Sequence, residues 1–337
     1  MRAVAYYEAQ PITAETSLVD INLPKPEAQG RDLLVEVKAI SVNPVDTKIR
    51  AGAKPEAGQP RVLGWDAAGI VTAVGPDVRH FKVGDEVFYA GAVDRPGTNA
   101  EYHLVDERIV GTKPKSLDFS AAAALPLTSI TAWEMLFHRL HIDIPVVGAA
   151  NAILIIGGAG GVGSIAVQLA RKLTNLTVIA TASRPETRRW VEELGAHHVI
   201  DHSKPLAAQV EALGLGAPAF VFATTNSDTH RTEIAALIAP QGRFGLIDDP
   251  KSYDIMPFKW KSVSIHWEVM FTRSRYDTAD IEEQHKLLNR VAELVDAGTL
   301  RTTLADDLGP ISAANLKKAH ALIESGRARG KIVLTGF

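Results

Sequence analysis

Apolar and polar positions change their rhythm twice along this chain. In the first third, short apolar runs are broken by glycine. Over residues 32–42, Val35, Val37 and Ala39 alternate with Glu36 and Lys38, which predicts a half-exposed strand; residues 1–7 predict another. Residues 64–75 and 83–88 are further short apolar runs with glycine at the turns, as in a barrel-like β domain. Over residues 125–140 the period becomes helical, with Pro126 near the start and Trp133, Leu136, Phe137 and Leu140 on one face. That helix is the expected hinge into a second domain.

From residue 151 to about residue 263, strand and helix alternate in the manner of a doubly wound parallel sheet. Residues 152–156 are apolar throughout and predict a strand buried on both faces. Residues 177–182, 199–200, 220–222 and 242–247 predict more strands, and residues 185–194 a helix ended by Gly195. Two amphipathic helices follow, 280–297 and 312–325, then a last strand at 331–334. The expected plan is a β-rich domain over 1–125, a dinucleotide-binding α/β domain over 126–267, and a return to the first over 268–337. Such a plan places a cleft between two lobes.

The strand at 152–156 runs directly into Gly157-Gly158-Ala159-Gly160-Gly161-Val162-Gly163, and residues 164–173 then take a helical period. Gly158, Gly160 and Gly163 fit G-x-G-x-x-G: one for the tight turn, one for close approach of a pyrophosphate, one for close helix–strand packing. The intervening Ala159, Gly161 and Val162 belong to the same cradle, where the helix start offers N–H groups and partial positive charge to phosphate. About 20 positions on, an acid usually reads the ribose 2′-hydroxyl of NAD. This chain has Thr181-Ala182-Ser183-Arg184 there. Arg184 suits bidentate pairing with a 2′-phosphate, Ser183 is a second donor, and Arg188 and Arg189 add positive potential, so NADPH is expected over NADH. The plain alternative is that Arg184 only opens a solvated helix.

With 337 residues there is room for two domains with cores of their own. The net charge of −3 contains no block of one sign, so neither a nucleic-acid nor a membrane-surface partner is expected. No apolar run reaches the roughly 18 residues needed to span a bilayer. Glu8, Glu15 and Asp20 interrupt the first stretch, which lacks a signal-peptide block, so the expected location is cytoplasmic. The absence of cysteine removes disulfides, thiol nucleophiles and Cys-based zinc sites together.

Asn43-Pro44-Val45-Asp46 reads locally as a helix entry, with Asn43 as N-cap, Pro44 in the first position and Asp46 facing the positive helix start. It joins Gly64-x-Asp66-x-x-Gly69-x-Val71-x-x-Val74-Gly75, Val83-Gly84-Asp85-x-Val87, Leu125-Pro126-Leu127-x-x-x-Thr131-Ala132, the glycine turn and Gly330-Lys331-Ile332-Val333. On these motifs nearly the whole chain resembles the medium-chain dehydrogenase/reductase superfamily, in its zinc-independent quinone oxidoreductase-like branch. Members of that branch are often named zinc-type alcohol dehydrogenase-like. The resemblance implies an α/β fold, a GroES-like substrate domain plus a Rossmann NADP(H) domain, and a homodimer. It puts Asn43, Asp46 and Thr131 near the nicotinamide and its ribose. It puts Lys48 where a Tyr often stands, as donor to a developing oxyanion or as proton donor, and His202 beside the adenosine phosphate. Asn226, Asp248 and Lys331 are implied cofactor contacts. The segment His266-Trp267-Glu268-Val269-Met270-Phe271 is either another such contact or an edge strand facing a second subunit. Trp65 is a pocket wall or plain core.

Zinc-dependent members of the superfamily hold their catalytic metal with Cys, His and Cys. Matching their pattern puts Asn43, Trp65 and Leu127 at those places, and the pairs His138/His141 and His197/His198 are poor substitutes. The implied reaction is NADPH-dependent, metal-independent hydride transfer to a small electron acceptor, a quinone or an α,β-unsaturated carbonyl. Three other classes stay open: a zinc-dependent alcohol dehydrogenase, a non-catalytic NADPH-binding sensor or RNA-binding protein, and an S-adenosylmethionine methyltransferase, the last disfavoured by Arg184.

Overall fold

A computed structural model describes residues 1–337 and divides them into two units, 1–130 together with 271–337, and 131–270. The first unit begins with β1 (Arg2–Tyr6), β2 (Val19–Asn22), β3 (Asp32–Val42), α1 (Pro44–Gly52), β4 (Arg61–Val62) and β5 (Ala67–Val74). It continues through β6 (Glu86–Tyr89), β7 (Tyr102–Asp106), β8 (Val110–Thr112) and α2 (Phe119–Ala123) to α3 (Pro126–Trp133), whose last three residues belong to the second unit.

After a π-helical turn, Glu134–Arg139, the second unit runs β9 (Ala150–Ile156), α4 (Gly161–Leu173), β10 (Thr177–Thr181), α5 (Pro185–Glu193), β11 (His198–Ile200), α6 (Leu206–Ala212), β12 (Pro218–Ala223), α7 (Ser227–Leu237), β13 (Arg243–Leu246) and β14 (Ser264–Trp267). The six strands are parallel and ordered β11-β10-β9-β12-β13-β14. That is the 3-2-1-4-5-6 Rossmann order, which reverses between β9 and β12 and so sets a ligand crevice beyond their carboxyl ends. Leu154, Ile156, Val221 and Phe244 lie in its core, which is why these strands read as unbroken apolar runs.

The chain then returns to the first unit with α8 (Thr272–Tyr276), α9 (Glu283–Asp296), β15 (Leu304–Asp307), α10 (Ala313–Glu324) and β16 (Lys331–Thr335). A seven-stranded sheet results, ordered β15-β16-β3-β5-β6-β8 with β7 also on β3. The long β3 is its spine, taking β5 along one side, β7 beside its first half and β16 beside its last residues. No helix is long and apolar enough to cross a membrane.

One expected helix is corrected. α-Helical bonding stops at Trp133, and Leu140 N–H donates to Met135 O at 2.8 Å, five residues back. The wider turn rotates the face read from the sequence: Glu134, Met135, Leu136 and Leu140 are buried, while Trp133 and Phe137 are only partly so. Packing explains it. A Cβ on Gly245 of β13 would lie 2.2 Å from Met135 Sδ, so the missing side chain there is what admits Met135.

Candidate active site

The expected site residues fall into two groups, one in each unit. In the first unit, Asp66 stands just ahead of β5 and is fully buried. Its Oδ2 accepts from Asn43 Nδ2 at 2.8 Å and from Lys331 Nζ at 3.0 Å, and its Oδ1 accepts from Leu127 N–H at 2.8 Å. Every partner is a donor, so a proton on Asp66 would face N–H groups only, and the geometry holds it as an anion. Burial outweighs Lys331, Asn43 and the Leu127 amide and leaves its pKa above the ordinary carboxylate value. Lys331 Nζ also donates to Val42 O at 3.1 Å and to Asn43 Oδ1. The Asn43 amide thus has one orientation, nitrogen to the carboxylate and oxygen to the ammonium.

One expectation changes here. Lys331, expected at the cofactor, uses its three N–H groups on Val42, Asn43 and Asp66. Asn43 is the N-cap of α1 and Asp46 the acid of its first turn, as expected, and Asp46 Oδ2 accepts Asn43 N–H at 2.6 Å. Asp66 itself was visible only as a motif letter. A carboxylate set among Leu63, Trp65, Ala67 and Ala68 was the signal for its burial and its need of a partner.

Asp46 is buried, and its Oδ1 has no partner. Burial pushes its carboxyl up to about 7, with the Asn43 N–H, Lys331 and the Gly64 N–H opposing and Asp66 adding to the rise. A raised folded pKa means the folded chain binds this proton more tightly than the unfolded one. Stability from this group is therefore complete below about pH 4 and drains away as pH climbs toward 7, by up to roughly 4 kcal/mol. Asp46→Asn keeps an oxygen for the Asn43 N–H without the titration. Urea midpoints measured between about pH 5 and pH 8 should lose most of their downward slope in that variant.

Lys48 is exposed on α1. Trp65 is core: 1% exposed, its indole N–H donating to Ala92 O at 3.0 Å and its ring edge-on to Phe271. Thr131, on α3, is buried and is the first residue of the second unit.

In the second unit, β9 is followed by Gly157, whose φ of +80° suits glycine. Its N–H donates to Thr181 Oγ1 at 3.0 Å, and His202 Nδ1 lies 3.1 Å from the same oxygen. The end of β10 therefore braces the glycine turn. A Cβ on Gly163 would sit 2.2 Å from Gly157 O, and one on Gly158 2.9 Å from Ala180 Cβ, so protein packing requires both glycines. Gly160 differs: its φ is −70°, and a Cβ there meets only Gly157 O, at 3.5 Å. The chain's own packing therefore leaves room for a side chain at 160. Ala159, Gly161 and Val162 complete the turn and open α4.

At the end of β10, Ser183 is exposed and Arg184 is the N-cap of α5. Arg184 Nε is 3.2 Å from Glu186 Oε1, an exposed pair worth at most about 1 kcal/mol and open to exchange for a phosphate. Burial holds the His202 pKa below its ordinary value; Asp201 opposes and Arg184 adds to the fall. Arg188, expected to add positive potential here, donates to Val199 O at 3.0 Å and Ala182 O at 3.4 Å, which fixes its guanidinium and leaves its charge in place. Asn226, left-handed at φ +51°, precedes α7, and Asp248 Oδ2 accepts Ser227 N–H at 2.7 Å on the same helix start. The segment after β13 splits: Ser264–Trp267 is the outer strand, while buried Glu268 pairs with Arg139 at 2.8 Å.

The comparisons agree with this architecture. Residues 29–115 match the alcohol dehydrogenase GroES-like domain and residues 194–334 the zinc-binding dehydrogenase model. A zinc-type alcohol dehydrogenase-like protein of Staphylococcus aureus is 41% identical over 312 residues, 92% of each chain. A chloroplastic NADPH-dependent alkenal/one oxidoreductase of Arabidopsis thaliana is 38% identical over 94% of this chain and 75% of its own. A crystal structure from Rhizobium etli, named for the zinc-dependent alcohol dehydrogenases, superposes with a TM-score of 0.98 at 68% identity over 100% of this chain and 98% of its own. Solved quinone oxidoreductases share the fold. With a GroES-like unit, a Rossmann sheet and relatives at this identity along nearly its whole length, the chain belongs to the medium-chain dehydrogenase/reductase superfamily of oxidoreductases, among members named zinc-type alcohol dehydrogenase-like.

Proposed function

We propose that this oxidoreductase uses NADPH to reduce a quinone or an α,β-unsaturated carbonyl without a metal. The observation that carries the proposal is the glycine turn itself, where Gly160 leaves open the space a pyrophosphate would take, braced by Thr181 at the end of β10, which is followed by Ser183 and Arg184 with no acid between Thr181 and Arg184, and flanked by His202 after β11. The Gly157 to Gly163 turn and the start of α4 would hold the pyrophosphate, and Ser183, Arg184 and His202 the 2′-phosphate. Asn226 and Asp248, after β12 and β13, line the same side of the unit.

When bound, the nicotinamide supplies a hydride. The chain's part is to orient the acceptor, stabilise charge arriving on its oxygen, and hold a proton. Thr131 positions, Lys48 donates to the oxygen, Asp46 keeps a proton up to near-neutral pH, and Asn43, held by Asp66 and Lys331, fixes the start of the helix that carries Lys48. The NADPH-dependent alkenal/one oxidoreductase among the relatives supports this substrate class and this coenzyme. The outer strand β14, with Trp267 52% exposed, is the proposed contact of a homodimer.

Zinc, carried in the names of several relatives, does not fit the residues present. At the three matched positions, the Asn43 amide is spent on Asp66 and Lys331, the Trp65 indole on Ala92 O, and Leu127 has no donor atom in its side chain. No group of three or more His, Asp or Glu is placed to hold a metal ion.

The test follows coenzyme oxidation against a panel of quinones, enals and enones, with NADPH and NADH side by side. NADPH should be preferred, and Arg184→Glu should weaken its use about 100-fold while changing NADH use little. Equal losses for both coenzymes would refute the phosphate assignment. Zero turnover of every conjugated acceptor would refute the reaction.

A further inference from the structure

The buried centre of the first unit contains two carboxyl groups, Asp46, which keeps its proton up to about pH 7, and the anionic Asp66, with one cation. That cation reaches it from the far end of the sequence. Lys331 is the first residue of β16, and its neighbour Ile332 pairs with Val42 at the end of β3. The side chain, 3% exposed, meets three oxygens of three kinds: the Val42 carbonyl, the Asn43 amide oxygen and the Asp66 carboxylate. Three N–H groups meet three acceptors, so the ammonium is saturated. The Asn43 amide nitrogen returns to Asp66, closing a ring of Lys331, Asn43 and Asp66. Through Leu127 N–H, the ring also holds the first turn of α3, the helix that carries Thr131.

We propose that the Lys331 ammonium is the built-in cation of this centre, doing with a fixed side chain what a bound metal ion does elsewhere: neutralising Asp66 and fixing the orientation of Asn43. A flexible lysine in water would gain little from such a pair. Here all the partners are buried and pre-placed by strand pairing, so the ammonium has one position. Asn43 and the start of α3 take their positions from it, which makes Lys331 a positioning residue. The positioning role rests on the activity proposed above; the charge assignment does not.

The experiment compares three full-length proteins expressed with zinc in the medium: wild type, Lys331→Met, and Asp66→Asn/Lys331→Met. Each is measured for metal content, urea midpoint with and without chelator, NADPH affinity by fluorescence titration, and kcat with the best acceptor. Wild type should contain no stoichiometric metal and keep its midpoint in chelator. Lys331→Met should lower the midpoint, because Asp66 is left buried without its counter-charge. The double variant, with both charges removed, should recover most of that midpoint. Its kcat should stay about 100-fold down with NADPH affinity unchanged, because Asn43 is no longer oriented.

One metal ion per wild-type chain would overturn the proposal, and so would a Lys331→Met protein with the wild-type midpoint. A double variant with full kcat would overturn the positioning role while leaving the charge assignment standing. If wild type reduces no acceptor, the proposed function fails, and metal content and the midpoints still decide the charge assignment.

Discussion

Asp66→Ala is expected to leave little folded protein. The substitution strands the Lys331 ammonium, the Asn43 amide nitrogen and the Leu127 N–H in an interior that water does not reach. Breaking a buried ion pair by removing one partner costs about 3–5 kcal/mol, and each orphaned donor adds about 1–3 kcal/mol. Against a total stability of about 5–15 kcal/mol, that is most of what holds the chain folded. Urea denaturation followed by far-UV circular dichroism should show a strongly lowered midpoint or a protein already unfolded in buffer. Asp66→Asn, which keeps an acceptor oxygen and loses the charge, should fall between. A loss within about 1 kcal/mol for Asp66→Ala would mean that the centre is solvated.

The second large effect separates two glycines three residues apart. In Gly163→Ala the new methyl would fall 2.2 Å from Gly157 O and 2.8 Å from Gly158 Cα, both backbone atoms. The turn and α4 must then separate, so both melting temperature and coenzyme affinity should drop, the latter by about 100-fold or more. In Gly160→Ala the methyl meets only Gly157 O at 3.5 Å, an ordinary contact. Its melting temperature without coenzyme should match wild type while NADPH affinity falls at least about tenfold. Calorimetric titration with parallel thermal unfolding reads both quantities. If Gly160→Ala binds NADPH normally, the pyrophosphate does not approach this turn.

The features legible in the sequence were those encoded by neighbours. Alternation gave β3 its full extent, and the run from Ala152 to Ile156 with its glycines gave β9, the turn and α4, because period and turn chemistry are local. What escaped was set by distant partners. The π-helical turn depends on Met135 meeting Gly245 of β13, so no helical period in residues 125–140 announces it. The role of Asp66 depends on Lys331, 265 residues away. Asn43 and Asp46 were read as N-cap and helix-start acid, and the structure keeps both places; what the sequence did not show is that Asp66 and Lys331 claim the Asn43 amide. Arg188 was one of three arginines near the end of β10 to be read as cationic potential, and only tertiary packing shows it committed to the Val199 carbonyl.

The order of the strands along the chain also bears on how the protein is made. All six strands of the Rossmann sheet are translated in one continuous stretch, from residue 150 to residue 267. The other sheet waits for β15 and β16. A nascent polypeptide on the ribosome can therefore finish its nucleotide fold while Asp66 still lacks a counter-ion. Synthesis halted before residue 331 would yield a product with an intact glycine turn and an unneutralised acid in its other half. Such a product leaves Ala39 to Val42 of β3 without the strand that pairs with them in the finished chain.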